Sequence, residues 1–210
     1  MHCVIGESLL PLILHLLYVA MDHVESKAKI PHPVDHPGDL WVFGYGSLMW
    51  NPGFSHAERQ PAMAHGVHRR LCVYSTRYRG TPEKPGLVMG LLQGGCCHGM
   101  AFRVLAADSA ACRAYLTQRE QVSKVYHEVF RPVKLRDGRM IQALCYVVDQ
   151  QHRQFAGKLT PEEQLKLVKH SQGQVGPNRD YVCNTAHSLR DIGVDDPTLH
   201  WLAEQLLQND

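Results

Sequence analysis

The sequence predicts an α+β fold, and three observations predict it. Short runs with strand character come first, the chain from Thr160 onward reads as helix, and no regular strand–helix alternation supports a doubly wound sheet. A length of 210 residues suits one domain with a small appendage. A hydrophobic fraction of 44% and a charged fraction of 20% are enough for a packed core. Lys plus Arg number 22 against 20 Asp plus Glu, with no long run of one sign, so there is no electrostatic footprint for nucleic acid. A small anionic ligand needs only a well-placed Arg and stays open.

The expected division is a poorly ordered tail over residues 1–38 and a domain over 39–210. Leu9 to Ala20 is apolar but interrupted by Pro11 and His15, and it falls short of the roughly 20 residues a membrane span needs. No basic residue precedes it (the first is Lys27) and no A-x-A site follows, so it does not read as a secretory signal. Met21 opens a polar start, which makes residues 1–20 either an overlong gene start or a loose tail. The expectation is a cytoplasmic protein with no membrane association.

Each element has its own signal. Leu40 to Tyr45 is an apolar run between Gly38-Asp39 and Gly46-Ser47, as expected of a buried strand. Residues 66–78 mix β-branched, aromatic and basic side chains and predict a strand ending near Ser75. Arg79 to Gly86, with two prolines, reads as loop. Strands are expected at 87–93 and 97–104, parted by a turn at Gly94-Gly95. A helix over Ser109 to Glu120 would be capped by Asp108 or Ser109. Strands 125–135 and 140–148 are joined through Asp137-Gly138, a hairpin signal. Thr160-Pro161-Glu162-Glu163 has the residues of a capping box with Pro at the first helical position. Further helices are expected over 178–191 and after Asp196-Pro197.

Two stretches can carry chemistry. In Val42-Phe43-Gly44-Tyr45-Gly46-Ser47-Leu48 the glycines flank a Tyr at a strand end, so backbone can approach a ligand and its N–H groups can cradle a carboxylate. Met49 breaks the dinucleotide pattern, and the same spacing suits a plain strand-to-loop turn. Glu120 would end a helix, where the dipole disfavours an ionised carboxylate and raises its pKa toward proton-transfer duty. A solvated Glu paired with a nearby cation fits that position as well.

The remaining motifs are weaker. Seven cysteines, an odd count without C-x-x-C, suggest neither a disulfide framework nor a zinc ribbon. Most are expected to fill the core, with Cys96 and Cys97 on opposite strand faces. His65-x-x-His68 and the histidines at 32 and 36 lack a third ligand in a recognised metal spacing, so no metal is expected.

Taken in order, several motifs resemble the ChaC family of glutathione-specific γ-glutamylcyclotransferases. They are Val42 to Leu48, Arg69-Arg70, Ser75 with Arg79-Gly80-Thr81-Pro82-Glu83-Lys84-Pro85-Gly86, Cys97-x-Gly99, Tyr115-Leu116-x-x-Arg119-Glu120 and Gly176 to Tyr181. The resemblance spans Leu40 to Leu189 and implies a small mixed β-barrel with flanking helices. It implies that Val42, Phe43, Gly44, Tyr45, Gly46, Ser47 and Leu48, with Tyr126, bind the γ-glutamyl substrate and that Glu120 is the catalytic acid/base. Tyr126 takes the place of the Tyr that follows this Glu in the family, although Gln121 to Val125 lack the usual glycines. Arg79 or Arg179 is a candidate partner for substrate carboxylates. The implied reaction turns glutathione into 5-oxoproline and Cys-Gly, and it needs no cofactor because the substrate's own α-amine attacks. The alternatives are γ-glutamyl-amino acids or γ-glutamylamines as substrates, or a non-catalytic γ-glutamyl-binding regulator.

Overall fold

The structure, a computed structural model, describes residues 38–121 and 123–208. The tail expected over the N-terminal segment therefore lies, up to residue 37, outside the described residues. Five strands, β1 (Leu40–Gly44), β2 (Glu58–Ser75), β3 (Gly86–Val104), β4 (Tyr126–Leu135) and β5 (Met140–Val148), close into a barrel in the order β1-β3-β2-β4-β5. Neighbours are antiparallel except at the closure, where β1 pairs parallel with β5 at Trp41↔Ala143 and Val42↔Leu144. Helix α1 (Ser109–Glu120) connects β3 to β4, and α2 (Pro161–Lys169), α3 (Asn178–Asp191) and α4 (Pro197–Leu207) follow the barrel. Short strands β6 (Gln172–Gly173) and β7 (Gly176–Pro177) pair between α2 and α3. Val42, Phe43, Phe102 and Leu144 are fully buried in the barrel core, which the apolar faces of α3 and α4 extend through Val182, Leu189 and Leu202.

Three expectations are corrected. Gly94-Gly95 does not reverse the chain, and β3 runs through it as one strand. Both glycines have positive φ, and across from them the register with β2 shifts between His65 and Val67, around Gly66 with φ 73°. Left-handed residues on both strands make an irregularity of the bulge kind, which twists a long ribbon without ending it. For the same reason β2 begins at Glu58, well before the expected start, and pairs with the far half of β3. Nor does Asp108 or Ser109 cap α1. A 3-10 turn, Ala106–Asp108, runs straight into the helix, so Asp108 is already right-handed (φ −102°, ψ −5°) and its side chain makes no cap bond. An N-cap needs extended backbone. Thr160, with φ −69° and ψ 160°, has it, and both bonds of its capping box with Glu163 are formed.

The barrel is incomplete at one place. β3 meets β5 at Leu91↔Val147, and toward Gly86 the two strands part. There the backbone of β3 is bonded by side chains. The amide Oδ1 of Asn178 accepts from Leu87 N–H at 2.6 Å, and its Nδ2 donates to Leu87 C=O at 2.8 Å. Two residues on, Met89 N–H donates to the Tyr181 hydroxyl at 2.9 Å, while the Tyr126 hydroxyl donates to Met89 C=O at 2.8 Å. On the β5 side the Tyr45 hydroxyl donates to Tyr146 C=O at 2.7 Å. A buried peptide group without a partner costs about 1–3 kcal/mol, so these side chains replace a missing strand and keep the gap open.

Asn178 is completely buried and serves both backbone polar groups of one residue, Leu87. Asn178→Ala is expected to lower the unfolding free energy by about 2–4 kcal/mol, because two backbone groups lose their partners. Urea denaturation measures this, and a loss below about 1 kcal/mol would mean that water replaces the amide and that the edge is not sealed.

Candidate active site

The gap between β3 and β5 opens into a cavity of about 540 Å³, within the usual range for small-molecule sites. Its wall includes Tyr45, Gly46, Ser47 and Leu48 from the turn after β1, Arg79 from the loop after β2, Glu120 from the end of α1, and Tyr126 from the start of β4. Of the residues the sequence singles out, these are brought together. Val42 and Phe43 are not in the wall; they are fully buried beneath it. Gly44 lies against Leu48, where a Cβ would come within 2.9 Å of the Leu48 Cβ, so it lets the turn fold back on its strand. Arg179 also stays outside the cavity wall, 3.7 Å from Asp180 in an ion pair.

The turn is built tightly. Ser47–Met49 form a 3-10 turn whose first internal bond runs from Met49 N–H to Gly46 C=O at 2.9 Å. The amides of Ser47 and Leu48 precede that bond and are left for other acceptors. Gly46 cannot carry a side chain here, since a Cβ would sit 2.6 Å from the Tyr181 hydroxyl that holds Met89. Burial raises the pKa of the Tyr45, Tyr126 and Tyr181 phenols far above the ordinary value, so all three stay protonated.

Arg119 fixes Glu120 relative to this turn. Its Nη1 donates to the carbonyls of Asn51 at 2.7 Å and Pro52 at 3.1 Å, and to the Tyr115 hydroxyl at 2.9 Å. Its Nη2 donates to Ser47 Oγ at 2.9 Å, and its Nε lies 3.2 Å from Glu120 Oε1. One guanidinium thus ties the segment 47–52 to the last residue of α1. The Glu120 side chain is 18% exposed. Burial raises its pKa above the ordinary 4.5, and Arg119 opposes that rise by charge and by hydrogen bond. The position at the helix C-terminus acts in the same sense as burial. The result is a carboxylate held in place with a raised proton affinity, as general acid–base chemistry requires.

The sequence motifs contain Arg119 and Tyr181 but assign them no part in the site, and Trp50 is missed as well. The available signals were a cation immediately before Glu120 and aromatic residues inside motifs otherwise read for glycine and charge. Cys72, Cys97, Cys112 and Cys145 fill buried positions, and burial pushes the Cys72 and Cys97 thiols to about 12 and about 11. Cys96 is exposed, on the strand face opposite Cys97; Cys3 lies outside the described residues. His65 and His68 contact Cys96 and the Gly94 carbonyl. Among the described residues no three His, Cys, Asp or Glu side chains are grouped to hold a metal ion. No helix among the described residues is long and apolar enough to cross a membrane.

The fold matches that of a glutathione-specific γ-glutamyl cyclotransferase from yeast, with a TM-score of 0.74 over 81% of this chain and 96% of that one, at 23% identity. The architecture is therefore the γ-glutamylcyclotransferase fold. Residues 40–209 match the family described as ChaC-like proteins, and the chain belongs to that family. Among its relatives, the glutathione-specific γ-glutamylcyclotransferase of Escherichia coli K12 is 30% identical over 88% of this chain and 80% of its own. The glutathione-specific γ-glutamylcyclotransferase of Schizosaccharomyces pombe is 32% identical over 78% of this chain and 89% of its own. The human glutathione-specific γ-glutamylcyclotransferase 1 is 30% identical over 79% and 77%.

The raised pKa of Glu120 has a consequence for stability. A carboxyl group that binds its proton more tightly when folded contributes stability that is complete below the unfolded value, near 4.5. That contribution is lost as the pH rises through the folded pKa. Glu120→Gln is therefore expected to melt at or above the wild-type temperature at pH 7–8. The advantage should vanish as the pH falls toward 4.5. Calorimetry across that range checks the sign, and a variant less stable at pH 8 than at pH 4.5, relative to wild type, would contradict it.

Proposed function

We propose that this protein is a glutathione-specific γ-glutamylcyclotransferase, a lyase that converts glutathione to 5-oxoproline and Cys-Gly in the cytoplasm. The observation that carries the reading is Glu120, a partly buried carboxylate of raised pKa in the same cavity wall as the Tyr45–Leu48 turn. Family membership and the names of the relatives support it. Six described cysteines are all free thiols, which suits a reducing, glutathione-buffered compartment.

The chemistry is intramolecular. The α-amine of the γ-glutamyl group attacks the γ-carbonyl carbon and closes a five-membered ring, and the bond from that carbon to the cysteine nitrogen breaks. Holding amine and carbonyl in register is worth about 7–11 kcal/mol, so positioning supplies most of the acceleration. The amine's reference pKa of about 7.7–8.0 leaves it largely protonated at neutral pH. Glu120 takes that proton before the amine can attack. As the ring closes the attacking nitrogen gives up a second proton, and the departing nitrogen receives a proton from Glu120 and leaves as the amine of Cys-Gly. The 5-oxoproline thus keeps one N–H and its nitrogen is neutral. The free amides of the turn hold the α-carboxylate or the developing oxyanion, and Arg79 serves a substrate carboxylate. Tyr126 closes the cavity beside Glu120, with its hydroxyl kept on Met89.

The test is 5-oxoproline release from reduced glutathione by the purified protein and by Glu120→Gln. The wild type is expected to turn over, with kcat in the variant lower by about 10²–10⁴-fold. A variant that keeps more than about a tenth of wild-type kcat would remove Glu120 from the proton path. Equal kcat/KM for glutathione and γ-Glu-Ala in the wild type would move the assignment to general γ-glutamyl substrates.

A further inference from the structure

Arg79 is a buried arginine of the cavity wall. It is 8% exposed, and burial depresses its proton affinity, yet no carboxylate lies within ion-pairing distance among the described residues. Its Nη1 donates to the Pro177 carbonyl at 3.1 Å, and its backbone N–H donates to Ser75 Oγ at 3.0 Å. The guanidinium carbon lies 5.7 Å from the centre of the Tyr181 ring and 6.0 Å from that of Trp50, within reach of cation–π attraction from both. Among the described residues Nε and Nη2 have no acceptor. Trp50 also lines the cavity, and its indole N–H is buried with no hydrogen-bond partner among the described residues. The Arg79 guanidinium and the Trp50 indole thus share one cavity wall, and among the described residues neither has an anionic partner.

The loop around Arg79 is shaped to hold it there. A Cβ on Gly80 would meet the backbone of Gly86, Ser75 and Lys84. The loop therefore folds back on itself in a way that only glycine permits, and this presents Arg79 inward.

The charges that act on Arg79 are those of Tyr181, Asp180 and Arg119, whereas the charge acting on Glu120 is that of Arg119. Arg119 thus acts on both, while Arg79 makes no ion pair with Glu120, whose carboxylate pairs with Arg119. In the proposed reaction the amine must reach Glu120, and the α-carboxylate is attached to the same carbon as that amine. The other carboxylate of glutathione, on glycine, lies on the order of 10 Å away along an extended tripeptide. It can reach a cation that is distant from Glu120. Arg77 and Arg153 also line the cavity, but both are exposed and water competes for them.

We propose that Arg79 and the indole N–H of Trp50 form the subsite for the glycyl carboxylate of glutathione, and that this subsite makes the cavity select the tripeptide. The inference rests on the cyclotransferase reading above and adds the residues that read the far end of the substrate. Burial gives the contact its strength, since a guanidinium that has lost its water gains most from a carboxylate that fits its fork.

The test compares kcat/KM for reduced glutathione with that for its C-terminal glycinamide, in which the carboxylate alone is removed. The wild type is expected to prefer the acid by about 10- to 100-fold, the worth of a charge-assisted hydrogen bond. Arg79→Gln should bring that ratio close to one, and Trp50→Phe should reduce it by about threefold to tenfold. A wild-type ratio within twofold of one overturns the subsite without any variant and leaves the cyclotransferase reading standing. So does a ratio that survives in Arg79→Gln. If the wild type releases no 5-oxoproline from either compound, the cyclotransferase reading fails and the subsite fails with it.

Discussion

The backbone of β3 between Gly86 and Leu91 is the constraint on which the rest of the structure depends. A barrel zipped by strand pairing all the way round would have no room for a ligand. An unzipped one would expose peptide groups that cost about 1–3 kcal/mol each when buried unpaired. Here Leu91 bonds to β5, Met89 to two tyrosine hydroxyls and Leu87 to the Asn178 amide. Three residues of one strand edge are thus satisfied by three different devices, and the cavity occupies the space the missing strand would fill. Because Asn178 and Tyr181 sit on the first turns of α3, the same bonds fix that helix against the barrel.

The second constraint is electrostatic. Glu120 is at a helix end, in a site where burial opposes its charge, and next to an arginine that favours it. Burial wins, so the group keeps its proton more readily than a solvated glutamate does. Arg119 is far from idle in this balance, because its other nitrogens hold Asn51, Pro52, Ser47 and Tyr115. One cation moderates the acid and at the same time sets its position relative to the turn. Loss of that cation would change both at once, which makes Arg119 a positioning residue in the proposed reaction.

Much of the fold was legible because local signals agreed with the global answer. The apolar run of β1, the Asp137-Gly138 hairpin and the Thr160 capping box each name their own structure. The long β2–β3 ribbon was not legible at Gly94-Gly95. Whether two glycines turn a chain or bulge it depends on a partner strand that continues past them, and that partner is distant in sequence. Of the candidate site residues named from the motifs, those of the turn at Tyr45, Arg79, Glu120 and Tyr126 line one cavity, while Val42, Phe43 and Arg179 do not. Local patterns give no hint that a tyrosine hydroxyl will replace a strand, or that the Trp50 N–H will have no partner among the described residues. Those follow only from packing.

The central claim is that the β3 gap holds a γ-glutamyl amine against Glu120, and the structure of Glu120→Gln crystallised with glutathione tests it most directly. The account predicts the α-amine within about 2.6–3.2 Å of the residue 120 side chain. The γ-glutamyl end should lie on the Tyr45–Leu48 turn. Glutathione bound with its amine turned away from residue 120, or bound elsewhere on the surface with the gap left empty, would contradict it.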